Sequence, residues 1–206
     1  MESPAMHRRT TAVWAAVSFG VALAIVLMVR AAAPSGDKLG IALRATARWS
    51  FILFWLASVG GALTTLFGPT FKALAERARD FGLAFASAHL VHLGLVAWLY
   101  YFFTGPPRSS LIVFGIAVFW TYLLALLSIA RLSALLGTRI VRVLRTVGVE
   151  YIAFVFLIDF MKNPFQGGLI DLLAYLPFQI LAIAGPVLRL AAVAKRRLGI
   201  PRRLAA

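Results

Sequence analysis

Six apolar runs divide the chain, at about residues 11–29, 49–67, 81–103, 110–130, 147–162 and 169–190. A helix rises ~1.5 Å per residue, so ~20 apolar residues cross the hydrocarbon core of a bilayer. The first four runs and the sixth have the length and freedom from charge to do so. The fifth, VGVEYIAFVFLIDFM, is shorter and carries Glu150 and Asp159; Ile140 to Leu144 can extend it as helix. The connections are short, so neighbouring spans should pack antiparallel. The pattern predicts an all-α fold: a single transmembrane domain over residues 1–206, built as a six-helix up-and-down bundle with a basic tail at 191–206.

The segments between the runs refine this outline. In the stretch from Ala31 to Arg48, the sequence DKLGIALRATARW has the pattern of a surface amphipathic helix. Gly60 and Gly61 in the second run suit close helix packing, and Gly68-Pro69 should end that run. FKALAERARD, with mixed charges, reads as a solvated hairpin. Gly105-Pro106-Pro107 marks a turn, and Pro177 and Pro186 should kink the last span.

Composition sharpens the class. Apolar residues make up 62% of the chain and the mean hydropathy is +0.90, more than a soluble domain can cover. With no cysteine, disulfides, iron–sulfur clusters and thiolate chemistry are excluded. The net charge of +14 does not indicate nucleic acid, because the basic residues lie between apolar spans. Lys and Arg number 15 on the side of the N-terminus and 6 on the other, so both termini should be cytoplasmic. The tail KRRLGIPRR then faces anionic lipid or solvent. The first run, followed by AAAP at 31–34, also resembles a cleaved signal peptide, but it is longer than the ~7–15-residue apolar core usual there. No GxGxxG or P-loop pattern is present, so nucleotide binding by those routes is not expected. Compact loops and an Arg- and Ala-rich composition suit a bacterial inner (plasma) membrane.

Chemistry concentrates in the third run, which holds His89 and His92. At ~100° per residue they lie ~60° apart, on one face about a turn from each other. An ionisable residue in an apolar span marks a candidate functional site. Hydrogen bonding across helices is the plainer use of the same two rings. Asp159 lies at nearly the depth of His92 and could accept a hydrogen bond from it. Glu150 should be neutralised by Arg142 or Arg145, and Asp171 should be interfacial.

Three stretches carry a family likeness. RARDFGLAFASAHLVHL is similar to an arginine–x–x–Gly–Leu opening of a third span followed by a heme-ligand histidine. LRTVGVEYIAFVFLIDF is similar to a Leu-His-Arg-x-Gly-x-x-Tyr opening of a fifth span, and GPVLRLAAVAKRR resembles a sixth span leaving into a basic tail. Over most of residues 45–200 the chain resembles the ferric reductase-like transmembrane domain superfamily. That group includes the membrane cores of ferric reductases and NADPH oxidases and the heme-binding membrane subunit of the methionine sulfoxide reductase system. The resemblance implies an oxidoreductase subunit that carries heme b and moves electrons across the bilayer. His92 would be the axial ligand to heme iron, His89 its neighbour or substitute, and Arg77, Arg79 and Arg145 would lie near the propionates.

The chain departs from that pattern in span five. Arg145 and Asp159 stand where the family has histidines, and no histidine follows His92. Two imidazoles on one face of one helix cannot clamp an iron between them. Ligation by a single histidine, a second ligand from Met28 or Met161, or a ligand from another chain are the routes left open. Without a flavin or nicotinamide module, electrons would come from a redox partner protein. Two other readings stand beside this one. The first is a heme-free structural or partner-binding member of the same fold, with His89, His92 and Asp159 forming a polar core; Arg145 and Glu150 are further polar-core candidates beside Asp159. The second is a small proton-coupled transporter using His92 and Asp159.

Overall fold

The computed structural model describes residues 4–33, 36–103, 108–129, 136–161 and 168–199. The described residues fold as α-helices: α1 (Pro4–Ala32), α2 (Lys38–Phe67), a 3₁₀ turn (Pro69–Phe71), α3 (Lys72–Glu76), α4 (Ala78–Phe102), α5 (Arg108–Ile129), α6 (Thr138–Phe160) and α7 (Gly168–Arg197). Five of these, α1, α2, α4, α5 and α7, are long and apolar enough to cross a membrane. Their outward faces carry large apolar side chains such as Val17, Leu27, Leu90, Ile112, Phe119, Leu173 and Leu190, as a lipid-facing surface requires. The fifth run forms α6, whose 23 residues are long enough to span but include Arg139, Arg142, Arg145, Glu150 and Asp159.

Several boundaries move from those expected. DKLGIALRATARW is not a separate surface helix: it forms the first turns of α2, started by Asp37, whose carboxylate accepts from the Gly40 N–H at 3.0 Å. The helix of the last run continues through the basic stretch to Arg197, and Pro177 and Pro186 lie within it. Lys195 donates to the Leu66 carbonyl at 3.1 Å, and Arg196 donates to Thr65 Oγ1 at 2.6 Å. These basic residues therefore hold the last turn of α2, where carbonyls lack helical partners. The Gly105–Pro107 turn, Lys162, the side chain of Asp171 and residues 200–206 of the tail lie outside the described residues.

Helix α2 packs against α1, α4 and α7; α5 packs against α4 and α6; and α6 packs against α7. The helices α2, α4, α5, α6 and α7 thus close a ring, and α1 lies outside it on α4 and α2. Between membrane helices, association rests on van der Waals packing and on hydrogen bonds across helices. Thr46 and His92 join α2 to α4 at 3.1 Å, and six further pairs are joined as follows. Ser87 donates to the Ala15 carbonyl (α4 to α1, 2.9 Å), Trp49 to Ser18 (α2 to α1, 3.3 Å) and Trp55 to Leu181 (α2 to α7, 2.9 Å). Tyr122 donates to Ala86 (α5 to α4, 3.3 Å), Tyr151 to Val113 (α6 to α5, 3.1 Å) and Gln179 to Phe160 (α7 to α6, 2.8 Å).

Two acidic residues sit differently from expectation. Asp80, within the segment read as solvated, is 4% exposed and accepts a hydrogen bond from buried Thr11 of α1 at 2.5 Å. Glu150 pairs with Arg189 of α7 through two contacts of 2.8 Å, not with Arg142 or Arg145. Those arginines precede Glu150 by eight and five residues, whereas pairing along a helix needs a spacing of three or four.

Of the two adjacent glycines in α2, only Gly60 is constrained. A Cβ there would stand 2.9 Å from the backbone N and Cα of Ala75, so α3 rests directly on α2. Gly61 is exposed and meets nothing within 4 Å. Gly60→Ala should therefore cost about 1–3 kcal/mol by overpacking, while Gly61→Ala leaves stability unchanged or slightly raised. Thermal unfolding of both variants in detergent checks the contrast.

Candidate functional site

The ring encloses two cavities, one above the other, which share Phe85, Thr121 and Ile152 in their walls. Moving from one cavity to the other, residue numbers rise along α4 and α6 and fall along α2 and α5, which is the alternating up-and-down topology. Between the cavities stands an aromatic layer. Phe54 lies 5.4 Å from Phe85 and 5.5 Å from Phe156, and Phe85 lies 6.1 Å from Phe156, centroid to centroid.

The larger cavity, about 370 Å³, contains both histidines of the third run. That volume falls in the ~300–1,000 Å³ range of small-molecule sites. His89 and His92 stack with centroids 5.3 Å apart and planes inclined by 24°, so the single face inferred from their spacing is the face that lines the cavity. Phe85 flanks His89 at 5.4 Å. Most of the remaining wall is apolar, including Leu93, Val96, Phe114, Val155 and Phe156; Arg44, Arg48, Asp159 and Tyr175 supply the polar groups.

The partner of His92 Nδ1 is Thr46 Oγ1 at 3.1 Å, not Asp159. Thr46 comes from α2, which packs directly on α4, whereas the cavity separates α4 from α6. The Thr46 hydroxyl directs its proton to the Ala42 carbonyl at 2.8 Å, with Leu43 at 3.2 Å. Toward the ring it can then only accept. With the hydroxyl proton so directed, the contact is a hydrogen bond in the tautomer that carries its proton on Nδ1, which leaves a lone pair on Nε2. His89 Nδ1 is buried without a hydrogen-bond partner.

The other anticipated residues divide. Asp159 lines the histidine cavity. Arg145 and Glu150 are exposed and do not join it in a polar core: Arg145 lines the second cavity, and Glu150 pairs with Arg189. Met28 and Met161 are 61% and 52% exposed and do not line the histidine cavity, so neither is placed as a second ligand. Arg79 lines the second cavity, and Arg77 lines neither. Among the described residues no three His, Asp or Glu side chains group as a metal site. Thr46 was not legible as a site residue, because a threonine in the opening turns of a span carries no signal of its own. Arg48 stands over the Tyr175 and Phe178 rings at 5.1 and 5.3 Å, a cation–π contact that joins α2 to α7 beside the cavity.

Fold and site together define an all-α membrane protein with an imidazole-lined cavity inside its helix ring. Comparison with protein-family models, with curated proteins and with solved structures gives no match for the chain.

Proposed function

We propose that this protein is a six-span membrane subunit that holds a b-type heme in the histidine cavity, with His92 as its axial ligand. The observation that carries the reading is the pair of cavity-lining imidazoles, one with its Nδ1 proton engaged by Thr46. A metal-binding histidine commonly has its other ring nitrogen oriented this way. The chain supplies two elements of a porphyrin site on one side: a nitrogen lone pair on His92 and largely apolar walls. Both imidazoles come from α4, and among the described wall residues no imidazole faces them from another helix; Thr121, Asp159 and Tyr175 supply the oxygen atoms there. The fit is therefore to a heme held by one histidine. Bound there, heme supplies one-electron chemistry.

The proposal treats α6 as the sixth crossing, since it completes the ring and its charged residues face a neighbouring helix, a cavity or the border. It also places both termini in the cytoplasm of a bacterial cell, on the excess of Lys and Arg at that side, and takes electrons from a redox partner protein. The departure at Arg145 favours a second reading, a heme-free structural or partner-binding member of the same fold. Absorption spectra separate the two. Protein expressed with ample heme and purified in detergent should show a Soret band, with an alpha band on reduction. A colourless preparation removes the heme reading and leaves the second.

A further inference from the structure

The second cavity, of about 280 Å³, has a different chemistry. Arg79 of α4 and Arg145 of α6 stand in its wall, both exposed, while Phe54, Phe85 and Ile152 at the aromatic layer are buried. Six residues of helix separate Arg79 from Phe85, about 9 Å of depth. Gly82, Ala57 and Ala125 leave the space between. The hydroxyls in the wall face back on their own helices: Ser58 donates to Trp55, Thr121 to Ala117 and Ser128 to Leu124. The cavity thus runs from a cationic rim to an apolar floor.

Among the described residues no carboxylate lines it. Among the described residues, Asp37 pairs with Arg44, Glu76 with Lys72 and Glu150 with Arg189, while Asp80 is held by Thr11. Asp159 lines the other cavity. Among the described residues, none of the three ion pairs involves Arg79 or Arg145, so both guanidinium groups are open to an anion. Among the described residues the lining includes neither histidine nor methionine, so these offer no imidazole or thioether to an iron.

We propose that this cavity binds an acidic phospholipid of the surrounding membrane. Its headgroup phosphate pairs with Arg79 and Arg145, and part of one acyl chain enters toward Phe85. Guanidinium groups match phosphate oxygens in fork geometry, and basic residues at a membrane border already concentrate acidic lipid. The inference is independent of heme binding.

The test is native mass spectrometry of the full chain in mild detergent, with phosphatidylglycerol or phosphatidylcholine added. The wild type should retain one phosphatidylglycerol and not phosphatidylcholine. Arg79→Gln with Arg145→Gln should lower retention at least tenfold. Ala125→Leu and Gly82→Leu, which fill the cavity from two walls and keep both arginines, should do the same; melting curves identify a variant that has not folded. Equal retention by the folded filling variants overturns the proposal, since the arginines would then only attract lipid along the surface. Binding of oleate without phosphatidylglycerol overturns the phospholipid assignment.

Discussion

Replacing His92 by alanine is expected to abolish the Soret band, whereas His89→Ala should keep it with a changed position or intensity. On the proposed reading the two rings differ through their Nδ1 atoms, although they stack and share one cavity. The hydrogen bond from His92 to Thr46 holds the ring and sets its tautomer, which leaves Nε2 to bind iron. The buried Nδ1 of His89 has no such support. Thr46→Val keeps the volume and removes the acceptor, so it should weaken heme retention by about 10–100-fold, as loss of an outer hydrogen bond does at metal-binding histidines. Imidazole added to His92→Ala should restore part of the band if the variant is folded with its cavity intact. Retention of the band in His92→Ala with its loss in His89→Ala would reverse the ligand assignment.

Truncating Phe51 to alanine should give the largest loss of stability. Phe51 is 1% exposed, and its ring meets Phe160 at 4.9 Å, Phe156 at 5.1 Å and Phe178 at 6.2 Å, joining α2 to α6 and α7. Phe→Ala in a water-soluble core costs about 3–5 kcal/mol, as transfer and cavity terms combined. In a bilayer the transfer term shrinks, because lipid is as apolar as the core. What remains is lost dispersion across the void, so a loss near the lower end, about 3 kcal/mol, is expected. Phe119, 60% exposed on the outer face, serves as the control, and Phe119→Ala should be close to neutral. Unfolding in detergent with increasing denaturing surfactant measures both, and equal losses would remove the claim that this cluster holds the ring together. Phe156 and Phe160 also line the histidine cavity, so Phe51→Ala should loosen any bound heme as well.

Apolar run length was a direct guide to the long helices, because backbone polar groups in lipid must be satisfied within the helix itself. The ends were less legible. At Lys38 and Arg197 charged residues continue a helix beyond the apolar run, and hydropathy sees only the run. Asp80 read as solvated for the same reason: local composition does not register that α1 lies over it.

By itself the amino-acid sequence determined the class of protein, the approximate positions of the long helices and the shared face of His89 and His92. These follow from hydropathy and from the 3.6-residue period, which are local properties of the chain. Tertiary structure alone decided that Thr46 is the partner of His92 Nδ1, that Glu150 pairs with Arg189, and that Arg145 belongs to a cavity separate from the histidines. Each depends on which helices pack in the ring and at what rotation, and that is set by contacts between residues far apart in the chain.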